Sequence, residues 1–287
     1  MSVLLEIPDG SPWWLSPDIW TVPGNDPQGT PGLPIVGQPC YLWARVTNNG
    51  TDAVDNATVR FYWANPAVGF DRNTANHVGD ANVSLNAGET QDVLCLVPWM
   101  PSFVNGGHEC VLAEGFHQTL DPLPATPDFD VPTDRHVAQR NLSVLMMAMH
   151  MQRFVLPFEI VNTQRAERAF TIKTAHGELE ELKPLLKQLN IKVPRGKGAI
   201  RNVHFVADPN PCQDEKTDQD KDKDDEAHQK AVDGLRVGPR AKVGLSLIGE
   251  LEGEAALLHV VQQADRKKVG GFSVLVMRSK KAKKDKE

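Results

Sequence analysis

Short runs of alternating apolar and polar residues, separated by turn sequences, fill the chain between residues 37 and 117. Strict alternation places every second side chain on the same face of a strand, which is typical of a half-buried β-sheet. The runs are 38–46, 57–63, 81–85, 91–97 and 108–113, with turn sequences rich in Asn and Gly at 48–51, 86–88 and 105–107. Because this region has no helical period, the pattern predicts a β-sandwich.

Similar strand-like runs return after residue 139, so we expect a second sandwich. They lie at 139–149, 152–162, 169–174, 199–206, 242–248, 254–262 and 271–277. Four leucines three to four residues apart, near Pro184, predict a short amphipathic helix or helical turn: Leu179, Leu182, Leu186 and Leu189. The predicted fold class is therefore all-β, with two tandem immunoglobulin-like β-sandwiches, the second of which carries a short helical insertion.

Composition suggests where these units begin and end. A Trp-rich leading segment and the first sandwich are expected over 1–119, and the second sandwich over 139–278. The proline-spaced stretch 120–138 is expected to be a stiff interdomain crossover. An acidic run within 208–233 has no apolar residue to bury and predicts a disordered loop, and 279–287 is expected to be a basic disordered tail.

Charge is distributed unevenly along the chain. Residues 1–140 contain 16 Asp or Glu, five Arg and no Lys, a formal balance of about −11, whereas the remainder carries about +5. Phosphate binding depends on clustered Lys and Arg, so an overall charge of −6 argues against nucleic acid as the main partner. The basic tail is the one patch of that kind, and we interpret it as a solvated tail.

No stretch approaches the roughly 20 apolar residues that a membrane span requires. The first nine residues lack the basic region of a secretory signal, and Glu6 and Pro8 interrupt their apolar run. We therefore expect the chain as written to be cytoplasmic, with export by a leaderless route as the alternative. The four cysteines are too few and too scattered for a disulfide scaffold.

Two of these cysteines, Cys40 and Cys110, fall on strands equivalent to those joined by the inter-sheet bridge of antibody domains. Alternation places Cys40 on the face of Leu42 and Cys110 on the face of Leu112, so both are expected to point inward. They form a possible disulfide, and two small buried thiols are the alternative that a cytoplasmic location favours.

Several turn motifs in a fixed order resemble the bacterial cell-adhesion-related immunoglobulin-like domain known as CARDB. The residues concerned are Ser16-Pro-Asp-Ile-Trp20, Gly37-Gln-Pro39, Asn48-Asn-Gly50, Phe61-Tyr-Trp63, Asn86-Ala-Gly-Glu-Thr90 and Gly106-Gly-His-Glu-Cys-Val-Leu-Ala113. The resemblance covers about residues 16–117, while the second half looks only generically immunoglobulin-like. It implies adhesion, spacing or docking and brings no catalytic residues.

The sequence predicts no catalytic, cofactor or metal site. His108, Cys110 and His117 lack metalloprotease spacing. A calcium-loop pattern beginning at Asp218 has Lys223 and Gln229 where Gly and Glu are required.

Four charged residues gather at the expected domain junction: Asp134, Arg135, His136 and Arg140. We expect hydrogen bonds among them to orient the two sandwiches, and a catalytic role is the alternative.

Three aromatic residues are possible partner-binding groups. Tyr41 and Trp43 alternate outward if Cys40 points inward, and Tyr62 opposes its two aromatic neighbours on the next strand. We expect the Trp13–Trp14 segment to fold back over one such face. The alternative is an exposed patch that binds a protein or a carbohydrate.

These patterns together favour a non-enzymatic bacterial interaction module. Such an adhesion, adaptor or structural component would bind a protein partner through loops or by strand addition at a sheet edge, with a leaderless secretion apparatus as one setting. The alternatives are an accessory protein of a secreted hydrolase, a hydrolase with its site near Asp134 and His136, and a carbohydrate-binding module. No cofactor is expected.

Overall fold

The computed structural model describes residues 2–64, 71–102, 110–162, 164–194, 196, 198–207 and 231–279, and most of them lie in β-strands. The strands are β1 (Leu5–Glu6), β2 (Ile19–Pro23), β3 (Cys40–Asn48), β4 (Val54–Ala64), β5 (Asn76–Leu85), β6 (Thr90–Leu94), β7 (Cys110–Phe116), β8 (Val137–Arg140), β9 (Leu142–Met147), β10 (Arg153–Val161), β11 (Arg168–Gly177), β12 (Gly198–Ala207), β13 (Val232–Val237), β14 (Lys242–Gly253), β15 (Ala255–Ala264) and β16 (Lys267–Arg278). The predicted all-β fold class is confirmed.

Two antiparallel sheets face each other in the N-terminal half. In one, β3 lies between β6 on one side and β1 with β2 on the other; the second has the order β5-β4-β7-β8. Alternate residues of β3 are fully buried, as its pattern predicts. Leu42 and Val46 pack there against Val59 and Phe61 of β4, and the four side chains belong to one apolar core between the sheets.

The C-terminal half has a three-stranded sheet, β10-β14-β12, and a five-stranded sheet, β13-β11-β15-β16-β9. All neighbours are antiparallel except β9, which runs parallel to β16. The core between these sheets is rich in aromatic residues, and the ring of Phe158 contacts those of Phe205 and Phe272 edge to face.

The five-stranded sheet is buried on its outer face as well. A 3₁₀ turn (Leu179–Leu182) and α1 (Lys183–Gln188) place Leu182 and Leu185 on this face, so the predicted helical insertion is confirmed. Trp14 and Leu15 of the leading segment complete the cover. Burial on both faces explains why β15 and β16 contain continuous apolar runs rather than a strict alternation.

The proline-spaced stretch 120–138 does not simply link the two halves. Its end forms part of β8, which pairs with β7 and so belongs to the first pair of sheets. Upstream of β8, Phe129 and Val131 pack on the outer face of the same sheet, against Tyr62 and Leu112. The stretch therefore covers a sheet of the N-terminal half, which continues to Arg140. The division into two domains stays a prediction.

Several sequence predictions fall outside the described residues. These are most of the acidic stretch 208–233 with the calcium-loop pattern and Cys212, the turn at 105–107 with His108, and nearly all of the basic tail 279–287. Within the described part, no helix has the length and apolar character needed to cross a membrane.

Candidate functional site

Tyr41 and Trp43 lie on the outer face of β3 and are half-buried. The ring of Trp20, on the adjacent strand β2, stacks on Trp43 with 5.8 Å between centroids and 9° between planes. The Trp43 indole N–H donates to the carbonyl of Pro27 at 3.0 Å. The cover over this face thus comes from Trp20 and the loop after β2, and not from the Trp13–Trp14 segment.

Tyr62 is buried rather than presented to a partner. Its hydroxyl donates to the Glu114 carboxylate at 2.7 Å, and its ring contacts Phe129 edge to face. Burial, together with the charge of Glu114, raises the pKa of Tyr62. Alternation places Tyr62 correctly on the face opposite Phe61, but the 120–138 stretch covers this face and Trp13 of the leading segment packs against the same cluster, so the side chain is not exposed.

The possible disulfide between Cys40 and Cys110 does not form, and both side chains are buried thiols. Cys40 lies in the core between the first two sheets, whereas Cys110 lies with Leu112 on the opposite face of its sheet, under Phe129. The expectation that Cys110 points into the sandwich is therefore corrected. Burial raises the pKa of the Cys110 thiol and so disfavours the reactive thiolate.

Asp134 and His136 form a closed group just before β8, at the edge of the N-terminal half. The His136 Nδ1 lies 2.6 Å from the Asp134 carboxylate, and its Nε2 lies 3.2 Å from Asp121. Burial acts to lower the pKa of His136, but the bond to Asp134 and both negative charges outweigh it and raise the pKa. Arg135 is exposed and pairs with Asp121. These residues stabilise one half rather than joining the two.

Arg140 does lie between the halves. Its Nη1 donates to the carbonyl of Ile19 at 2.8 Å and to the Gln188 side chain on α1 at 2.9 Å. Gln188 in turn donates to the carbonyl of Pro17 at 3.2 Å. Burial lowers the pKa of Arg140 to about 10, so the guanidinium remains charged at neutral pH. Of the four charged residues expected to connect the two halves by hydrogen bonds, Arg140 is therefore one that does so.

Sequence reasoning did not identify a second polar connection between the halves. The Trp14 indole N–H donates to Ser273 Oγ at 2.9 Å, and this oxygen lies 2.8 Å from His259 Nδ1. His259 Nε2 lies 3.1 Å from the Glu181 carboxylate. Burial lowers the pKa of His259 despite the charge of Glu181, so the imidazole is neutral, accepts from Ser273 at Nδ1 and donates to Glu181 at Nε2.

The backbone of Asn141 and Gly271 holds Trp14 in this position. The Asn141 backbone N–H donates to the Trp14 carbonyl at 2.9 Å, and the Asn141 side chain donates to the Gly271 carbonyl at 2.8 Å. A Cβ atom on Gly271 would lie 2.6 Å from the Trp14 ring, so this glycine is required for the close approach.

The Ser273–His259–Glu181 group contains the residue types of a hydrolase triad but not its accessibility. Ser273 is fully buried, and its oxygen already accepts a bond from Trp14. A nucleophile requires an open approach to its substrate. The sequence signal for this group is a single polar residue within each of the apolar runs of β15 and β16. We interpret the group as a buried structural connection.

The exposed surface holds a different candidate, which we call the β9–β10 margin (residues 142–161). Among the described residues of the C-terminal half, four large apolar side chains are exposed by half or more, and all lie here: Met146 (57%), Met149 (51%), Met151 (50%) and Val155 (54%). Met146 belongs to β9 and Val155 to β10, with the other two in the connecting turn. Exposed apolar side chains of the N-terminal half lie in loops instead.

Both strands of the margin are sheet edges in the described part of the chain: β9 pairs only with β16, and β10 only with β14. An edge strand presents unpaired N–H and C=O groups to solvent. Pro157 lies within β10 and has no N–H to offer, whereas β9 contains no proline. The margin therefore combines an open backbone edge along β9 with exposed apolar side chains in β9, in the connecting turn and in β10.

No family model matches the sequence, and no curated protein matches it. Solved structures with low TM-scores are similar to parts or most of the chain. The CARDB domain of a Pyrococcus furiosus protein, in complex with di-metal ions, is 14% identical with a TM-score of 0.28; the alignment covers 49% of this chain and 91% of that domain. The CupB6 tip adhesin of Pseudomonas aeruginosa is 10% identical with a TM-score of 0.27, over 96% of this chain and 98% of the adhesin.

An adhesin of Mobiluncus mulieris is 8% identical with a TM-score of 0.21, and the alignment covers 91% of this chain and 97% of that one. The structural neighbours thus include CARDB and adhesin domains. At these TM-scores the likeness gives no argument about what this chain binds.

Proposed function

We propose that this chain is a non-enzymatic interaction module that binds an extended segment of a protein partner by strand addition along β9. The observation that carries the proposal is the concentration of exposed apolar side chains at an open sheet edge within the C-terminal half. Strand addition takes its affinity from backbone hydrogen bonds and its specificity from side chains beside the edge. The margin supplies both.

The hydrogen bonds of β9 define which of its groups are available. Ser273 N–H donates to the carbonyl of Asn141 at 3.1 Å, and Ser279 N–H to that of Met147 at 2.8 Å. Odd-numbered residues of this strand therefore direct their backbone groups to β16. In a parallel pair the intervening residues direct theirs outward, which places Leu142, Val144 and Met146 along the open edge.

An added segment would pair with these three residues and extend over the connecting turn. Its apolar side chains would contact Met146 and Met149, which suit varied surfaces because the thioether side chain is flexible and polarizable. The occupant we propose is thus a short β-strand of alternating apolar residues from another protein. Burying the four exposed side chains would supply the hydrophobic part of the affinity.

Met146→Pro tests this proposal directly. Proline removes the outward N–H of this residue and leaves the bonds to β16 in place, so the free protein keeps its fold while strand addition fails. Met146→Leu is the matched control, because it keeps the N–H and a similar apolar volume. The measurement is affinity capture from a lysate of the native host at moderate salt, with mass spectrometry of the retained proteins.

We expect the wild type and Met146→Leu to retain the same stoichiometric partner and Met146→Pro to lose it. Amide hydrogen exchange gives a second readout: partner binding should slow exchange at Val144 and Met146, which are fast in the free protein. Equal capture by the proline variant, or a bound partner that leaves these two amides fast, would contradict strand addition at β9.

A carbohydrate-binding role has less support. The ring of Trp43 is stacked on Trp20, and the Arg45 guanidinium lies 5.7 Å from the Trp20 centroid. A carbohydrate-binding site of this kind needs an aromatic ring with an exposed face. A hydrolase site at the junction is likewise unsupported, since the Asp134 and His136 side chains are buried and bonded to each other.

A further inference from the structure

The turn between β9 and β10 has a defined backbone. The Met151 N–H donates to the carbonyl of Ala148 at 3.0 Å, which closes a β-turn with Met149 and His150 at its two central positions. Both central residues and Met151 have exposed side chains. The turn therefore presents two thioethers and an imidazole from three consecutive residues.

The guanidinium of Arg278 holds this turn in place through hydrogen bonds. Arg278 Nη1 donates to the carbonyls of Met149 at 3.0 Å and Met151 at 2.5 Å. Its Nη2 and Nε donate to the carbonyls of Leu251 at 3.0 Å and Gly253 at 2.9 Å. These bonds connect the turn to β14 and fix the backbone positions of Met149, His150 and Met151.

The donor set has a clear chemical preference. Met146 adds a third exposed thioether from the end of β9, so six consecutive residues present three exposed sulfur donors and one ring nitrogen. Thioethers are soft ligands and select Cu(I) among the common biological metals, and imidazole also binds copper. We infer that Met149, His150 and Met151 form a Cu(I)-binding site, with Met146 as a further donor.

Local charge disfavours a divalent ion at this turn. The thioethers carry no charge, and Arg278 places a positive charge beside the turn, which disfavours a divalent ion more than a monovalent one. In the part of the chain that the structure describes, no group of three or more His, Cys, Asp or Glu side chains is arranged to hold a metal. The turn itself offers one imidazole and no thiolate or carboxylate, whereas Zn²⁺ takes Cys, His and carboxylate ligands and Ca²⁺ takes oxygen ligands.

The test is a Cu(I) titration of the full chain without oxygen, in competition with a chromophoric Cu(I) chelator. All proteins carry Cys212→Ser, because a thiolate would compete for the metal. The test variant is Met149→Leu with Met151→Leu, which keeps volume and apolarity while it removes both sulfurs. The control is Met100→Leu, a methionine equally exposed at 53% in the N-terminal half.

We expect the double variant to lose affinity for Cu(I) by at least about tenfold and the control to be unchanged. Carbon-13 labelling of the methionine methyl groups gives a second readout, since Cu(I) should shift the Met149 and Met151 signals and leave that of Met100 in place. Equal affinity in the double variant, a shift confined to other methionines, or no competition with the chelator would overturn the site.

This test is independent of strand addition. Leucine at the two turn positions preserves the apolar surface and the β9 edge, so partner capture should survive the loss of the metal. Met146→Pro, in contrast, removes only the further donor and leaves Met149, His150 and Met151 in place, so it should still bind Cu(I), more tightly than the double leucine variant does.

Discussion

Two buried histidines shift their pKa values in opposite directions, and each one affects the stability of a different part of the molecule. The pKa of His259 lies below its ordinary value of 6.5, so the unfolded chain takes up this proton first as the pH falls. The pKa of His136 lies above 6.5, so the folded protein retains this proton as the pH rises. By linkage, His259 stabilises the fold above pH 6.5 and His136 stabilises it below.

We therefore predict opposite effects of removing each imidazole. His259→Gln should weaken the dependence of unfolding free energy on pH below 6.5, where the wild type loses stability as the pH falls. His136→Gln should weaken it above 6.5, where the wild type loses stability as the pH rises. Urea unfolding between about pH 5 and 8 measures both slopes. The prediction fails if both variants change the same side of the profile.

The five-stranded sheet depends on elements outside it for the cover of its outer face. Leu182 and Leu185 pack there with Leu257 and Leu275 of the sheet, and all four are almost fully buried. The strands β15 and β16 therefore have no solvent-exposed face along much of their length. The short α1, which at six residues would be unstable alone, is held by this apolar contact.

Leu185→Ala should lower the free energy of unfolding by about 2–5 kcal/mol, because it leaves a cavity between α1 and the sheet. Urea denaturation at neutral pH measures this loss. Leu120→Ala serves as the control, since this leucine is 54% exposed, and its effect should stay within about 0.5 kcal/mol. Equal effects of the two substitutions would show that α1 does not pack on the sheet.

At the scale of the whole molecule, the leading segment joins the two halves. Trp14 belongs to the cluster on the outer face of the five-stranded sheet, while Ile19, five residues later, lies in the core of the N-terminal half. Arg140 adds hydrogen bonds to both Ile19 and Gln188. Because the same short segment is buried in both halves, unfolding of one half should destabilise the other.

Calorimetry tests this coupling. We predict a single unfolding transition for the wild type and two separate transitions for Trp14→Ala, which removes the ring that covers the sheet. Trp14→Phe should keep the single transition at a lower temperature, because the ring is retained while the bond to Ser273 is lost. Two transitions already present in the wild type would contradict the coupling.

The sequence by itself determined most of the strands, the fold class and the short helix, whereas β1 and β13 lie outside the predicted runs, and β13 begins within the stretch predicted to be a disordered loop. Alternation along β3 and the leucine spacing at 179–189 are local properties, since they follow from the period of a strand and of a helix. The order of turn motifs also resembles a CARDB domain over about residues 16–117, and this resemblance stays a prediction. The candidate margin was not predicted, because edges depend on which strands pair.

Only the tertiary structure decided which faces are covered. Alternation assigns Cys110 and Tyr62 to a face, yet both faces of their sheet are buried, one of them under Phe129. Trp14 and Ser273 are 259 residues apart in the chain and meet only when both halves have folded. Periodicity records the local geometry of the backbone, whereas burial at a given position depends on distant segments that pack against it.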